Sequence, residues 1–166
     1  MKFLVTVILA LVLLTLESVF VQQAGLVLGR VDVTVVLVAF LALRASLTEG
    51  ACSAFAVGYL LDLMSGQPTG LFTFLAVFTF LVGRLVASFV DVRGPVAFAL
   101  FAMGADLGHG LLSTFFTWLT VKEGSTAPLL SGMPAQLALT GVAALLLFPL
   151  FKRFEVAQER PAGLLR

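Results

Sequence analysis

Four titratable side chains interrupt the long apolar runs of this 166-residue chain: Glu17, Asp62, Asp106 and His109. An ionised group at the centre of a bilayer costs roughly 2.5–3.5 kcal/mol, so each one asks for a polar partner, water or a ligand. Asp106, His109, Ser113 and Thr117 are spaced i, i+3, i+7 and i+11, which sets them along one stripe of a helix. Gly104 and Gly108 stand about opposite that stripe, in a G-x-x-x-G arrangement that lets another helix approach closely. Ala51, Phe55, Gly58 and Asp62 share a face of a different helix by the same spacing. Such groups can line a hydrated acidic cavity that holds a small polar solute or a partner's side chains. They can equally hydrogen-bond one another and fix helix register, and spacing alone leaves both open. Catalysis gains no support, because the chain has neither a G-x-S-x-G elbow nor an H-E-x-x-H pair. With one His and one Cys there is no metal-ligand spacing, and no glycine-rich phosphate loop, so neither enzyme activity nor a metal or cofactor is expected. Cys52 has no partner for an internal disulfide and reads as a small packing residue.

The elements that carry these residues follow from composition. Hydrophobic residues make up 60% of the chain and charged residues 11%, with a mean hydropathy of +1.12. A soluble domain carries roughly 25% charged residues, so a globule of this composition could not cover its surface. Disorder and a soluble enzyme are excluded by the same comparison. A net charge of +1 with no Lys/Arg cluster gives no surface for nucleic acid. A transmembrane helix needs ~20 apolar residues, and six of them would use ~120 of the chain. The expectation is an all-α, polytopic membrane bundle of about six transmembrane helices over residues 1–151, with a short charged tail over 152–166.

Caps and breakers divide the bundle. The first segment covers residues 3–21, and Gln22-Gln23-Ala24 is a poor signal-peptide cleavage site, so it is expected to stay as an anchor helix. Asp32 can cap a second segment, 33–43, which ends at Arg44 and is short for a full crossing. Ser46 and Glu49 form a capping box that starts a third helix near Leu47, running to Ser65. Gly66 can supply its C-cap and Pro68 stops it, so segments two and three make a tight hairpin, either crossing fully or re-entrant. The fourth segment, 70–89, has Thr69 as its expected cap, and Arg84 near its inner end is expected to snorkel to the headgroups. Gly94-Pro95 opens the fifth, which extends to about residue 121. A small polar loop, 122–131, leads to the sixth, 134–151, with Pro149 in its last turn.

Lys and Arg in the short loops set the orientation. One side holds Lys2, Arg44, Arg93, Lys152, Arg153, Arg160 and Arg166, and the other holds Arg30 and Lys122, which puts both termini in the cytoplasm. Helical rise of ~1.5 Å per residue then places Glu17, Asp62, Asp106 and His109 in the outer half of the membrane.

Residues 58–71 read G-Y-L-L-D-L-M-S-G-Q-P-T-G-L, a pattern of G-(apolar)3-D-(apolar)2-S-G followed by P-x-G-(apolar). This stretch resembles the signature of the rod shape-determining protein MreD family. Asp32 before its apolar run to Arg44, and Gly83-Arg84 late in the next helix, also look like that family. The specific match spans residues 30–88, with Val31 standing where the family usually has Pro; elsewhere only hydropathy agrees. The resemblance implies a multi-pass protein of the bacterial inner membrane, part of the elongation machinery and required for rod shape. It implies binding to MreC, a single-span periplasmic scaffold, and through it to the MreB filament and the RodA–transpeptidase peptidoglycan synthase. It also implies a bundle similar to the substrate-binding subunits of energy-coupling-factor transporters. An alternative function follows from that likeness, a small-solute-binding subunit with Glu17, Asp62, Asp106 and His109 around its ligand. Within the motif, Gly58 permits close helix approach, while Gly66, Pro68 and Gly70 make a tight outer turn. Asp62 either caps exposed amides at the start of the fourth helix or contacts a partner or ligand.

Overall fold

The apolar runs become six α-helices in the computed structural model, which describes residues 2–24, 32–65, 70–120 and 127–159. They are α1 Lys2–Ala24, α2 Val33–Arg44, α3 Leu47–Ser65, α4 Leu71–Ala87, α5 Pro95–Thr120 and α6 Ala127–Glu159. No strand occurs among the described residues. Local chemistry sets several boundaries as expected. The Asp32 carboxylate accepts from the Val35 amide at 3.2 Å. At the start of α3 the Ser46 hydroxyl accepts from the Glu49 amide at 3.4 Å and donates to the Glu49 carboxylate at 3.1 Å. Pro95 takes the first position of α5 behind Gly94, whose φ is 89°.

The shortest helix lies at the centre. α2 has 12 residues, and it touches each of the other five helices. Thr34, Val35, Val36, Leu37, Val38, Ala39, Leu41 and Ala42 are all buried. A helix that is apolar all round belongs inside a bundle, and this one is surrounded by helices rather than by lipid. Its length of about 18 Å falls short of a ~30 Å hydrocarbon layer, so α2 alone does not make a full crossing. At one end of α2, Phe40 meets Phe151 of α6 at 4.8 Å and Phe98 of α5 at 6.2 Å between ring centroids. α1 packs on α2 and α3 and contributes Ala10, Leu13 and Leu14 to the core.

Among the described residues, two helices rather than the expected six are long and apolar enough to cross a membrane by length and composition: Pro95–Phe116 and Met133–Arg153. For three of the other four helices the difference from the expected six has a physical basis. α2 and α4 have only 12 and 17 residues, and α3 is diluted by Thr48, Glu49, Ser53 and Asp62.

α6 also departs from expectation. It starts before Pro134 and runs through Pro149 to Glu159, so the first eight residues of the expected tail are helical, and 160–166 lie outside the described residues. Pro134, where the sixth segment is expected to begin, sits inside the helix and removes one backbone hydrogen bond. Arg84 reaches the end of a neighbouring helix. Its guanidinium donates to the Ala45 carbonyl, the C-cap of α2, and so ties α4 to the end of the central helix. Large apolar side chains face outward on the surrounding helices, among them Leu4, Leu63, Leu85, Leu100 and Leu146, and none does so on α2.

Candidate functional site

Asp62 is a buried carboxylate with both oxygens hydrogen-bonded. It is 2% exposed, on the last turn of α3. One oxygen accepts from the Phe72 amide at 3.0 Å, and the other from the Thr73 amide at 2.9 Å and the Thr73 hydroxyl at 2.5 Å. These amides belong to the first turn of α4, where backbone donors have no partner within the helix. The N-cap of α4 is Gly70 rather than the expected Thr69; its φ of 109° is left-handed, and it has no side chain to offer. A carboxylate from the preceding helix therefore supplies the cap that the local sequence lacks. Gly58, one turn below Asp62, is where the two helices touch: a Cβ there would lie 2.6 Å from Thr73 Cα and 2.7 Å from the Phe72 carbonyl. Gly58, Asp62, Thr73 and Gly70 form one joint. Gly66 and Pro68 of the same motif, with Thr69, lie outside the described residues.

α5 carries a second set of polar contacts, split between two neighbours. Asp106, 1% exposed, accepts from the Gln136 amide of α6 at 3.0 Å. Its other oxygen and the buried Thr140 hydroxyl of α6 lie near each other without forming a hydrogen bond. His109 turns the other way, and its Nδ1 meets the Thr79 hydroxyl of α4 at 3.1 Å. At about 100° of rotation per residue, His109 stands some 60° from Asp106 and about 100° from Gly108, so it sits at the border of the two faces.

Among the described residues, no other helix covers these glycines. A Cβ on Gly104 or Gly108 would meet nothing within 4 Å. Both line a groove of about 510 Å³ between α4 and α5, together with Gly83, Val86, Leu100 and His109. The expected polar stripe is thereby divided: Asp106 faces α6, while His109 shares the groove with the glycines. Glu17, Asp62 and Asp106 do not line this groove. Asp62 and Asp106 are engaged by α4 and α6, and Glu17 is half-buried on α1, which packs on α2 and α3. A shallower apolar groove of about 710 Å³ runs past Val7, Cys52, Phe55 and Tyr59, and Cys52 is exposed there rather than packed.

Thr73, Thr79, Gln136 and Thr140 complete the site and were not singled out in the sequence. Thr73 gave one usable signal, since it stands three residues past Gly70, where a helix start has free donors. Gln136 and Thr140 share a face by i, i+4 spacing, but nothing local marks α5 as their neighbour. Among the described residues no group of three His, Cys, Asp or Glu side chains is placed to hold a metal ion. Comparisons with family models, curated proteins and solved structures return no match to this chain.

Proposed function

We propose that this chain is a membrane-embedded scaffold of the MreD kind, a multi-pass component of the bacterial cell-elongation machinery with both termini in the cytoplasm. In this reading it binds the single transmembrane helix of MreC, and through MreC it supports MreB and the RodA–transpeptidase peptidoglycan synthase. It performs no chemistry of its own. The observation that carries the reading is the open α4/α5 groove floored by Gly104 and Gly108. Helices associate in lipid without a hydrophobic driving force, so close backbone approach over small residues is what a second helix can gain there. The motif of residues 58–71 supports the same reading in a different way. Its Gly58 and Asp62 brace α4 against α3, which holds one wall of the groove in place.

The solute-binding alternative needs Glu17, Asp62, Asp106 and His109 around one ligand, and the geometry commits two of these carboxylates to neighbouring helices instead. Co-purification separates the readings. Wild-type protein extracted in mild detergent is expected to carry MreC, and Gly108→Leu, which fills the groove, is expected to lose it. A retained vitamin-like solute in native mass spectra, with MreC recovered equally from both proteins, would overturn the scaffold reading.

A further inference from the structure

A carboxylate in mid-span joins α5 and α6, which carry the two stretches long and apolar enough to cross a membrane. Asp106 stands eleven residues beyond Pro95, about 17 Å along α5, close to the middle of a ~30 Å hydrocarbon layer. It is 1% exposed, and its Oδ1 accepts from the Gln136 amide. Oδ2 has no partner, and neither has the fully buried Thr140 Oγ1 that lies near it. Asp62 sets the contrast. It takes three hydrogen bonds, two of them from backbone amides at a helix start, which is the support a buried anion needs. Asp106 has one amide donor and no helix start. The charges on the helices packed against it supply no counter-ion among the described residues. α2 brings Asp32, itself a carboxylate, at its near end, and Arg44 twelve residues further on, about 18 Å away. Arg84 of α4 is committed to the Ala45 carbonyl at that far end. On α6, Lys152, Arg153, Glu155 and Glu159 all lie twelve or more residues beyond Thr140. His109, one turn along α5, is engaged by Thr79 of α4. Donation from Thr140 alone would pair the two oxygens and leave a charge that is costly at this depth. A single proton on Oδ2 removes the charge and makes that oxygen a donor to Thr140.

We propose that Asp106 is a proton-binding site inside the membrane: Oδ2 takes a proton from water, the neutral acid donates to Thr140 Oγ1 while Gln136 donates to Oδ1, and the two bonds clasp α5 to α6. This goes beyond the scaffold reading and needs only the lipid setting, not the partner. An aspartate in the unfolded chain is ionised at neutral pH, so the folded bundle there holds one proton more. Stability linked to that proton is full in acid and falls as pH rises, until Asp106 gives the proton up and the clasp opens.

Infrared spectroscopy of the full chain in nanodiscs tests this, because a protonated side-chain carboxyl has a C=O stretch apart from the amide bands. Wild type at neutral pH is expected to show that band, and Asp106→Asn to lose it. Thr140→Val, with one hydrogen bond fewer, is expected to move it to higher frequency, and this shift reports on the same group should the Asn variant fail to fold. The thermal unfolding midpoint of wild type is expected to fall from mildly acidic to alkaline pH. Asp106→Asn, neutral at every pH and still able to donate to Thr140, is expected to flatten that fall. A wild type without a carboxyl band that depends on Asp106 or Thr140 overturns the proposal. Two rival states would produce that result: an ion pair with an imidazolium at His109, or a bound cation, which a midpoint raised by sodium but not by choline would reveal. A band that Asp106→Asn removes and Thr140→Val leaves in place overturns the clasp. None of these outcomes involves MreC, so the scaffold reading stands or falls on co-purification alone.

Discussion

Both oxygens of the Asp62 carboxylate engage the first turn of α4, accepting three hydrogen bonds from Phe72 and Thr73. Asp62→Ala leaves those buried donors without an acceptor. A lost cap costs up to about 2 kcal/mol, so thermal unfolding in detergent should show a clear drop in midpoint. Asp62→Asn should recover only part of it, because the amide NH2 would face backbone donors. The glycines give a sharper contrast because their surroundings differ. A methyl at Gly58 runs into the backbone of α4, and Gly58→Ala should cost roughly 1–3 kcal/mol. At Gly104 the same methyl meets open space, and Gly104→Ala should stabilise the helix by about 0.5–1 kcal/mol through reduced chain freedom. Equal destabilisation at both positions would contradict the placement of α4 over Gly58 and the open groove at Gly104.

Helices begin and end where neighbours in the chain can satisfy their first and last backbone groups, and that chemistry is readable in sequence. Asp32, the Ser46/Glu49 box and Pro95 each set a boundary that the residues themselves announce. α6 resisted the same logic, because a proline in a helix interior looks identical in sequence to one at its start. The site was half legible. Gly58 and Asp62 stood out by type and spacing. The partners that give them meaning come from elsewhere: Thr73 is 11 residues from Asp62, and Thr79 and Gln136 are each 30 from the α5 residues they meet. Helix packing chooses those partners, and one-dimensional spacing holds no record of it. Arg84 shows the same limit, since a cation near a helix end looks ready to reach the headgroups until a neighbouring C-terminus offers a carbonyl. Replacing Arg84 with Ala should therefore speed hydrogen exchange in the last turn of α2 while leaving its first turn protected. Unchanged exchange there would remove Arg84 from that cap.

A short buried helix lies at the centre of the bundle, and large apolar side chains face outward on its periphery, the kind of exposed surface that marks a membrane or protein interface. Among the described residues, the α4/α5 groove is a seam that combines small residues with the His109–Thr79 pair, and the account makes it the seat of a partner's helix. Disulfide mapping in membranes addresses this without relying on affinity. In a Cys52→Ala background, single cysteines at Val82 and Leu100 border the groove, while one at Tyr59 borders the shallower groove past α3. With a cysteine walked along the transmembrane helix of MreC, the account predicts periodic cross-links to Val82 and Leu100 at helical spacing, and none to Tyr59. Cross-links confined to Tyr59, or absent from all three while MreC still co-purifies, would contradict it.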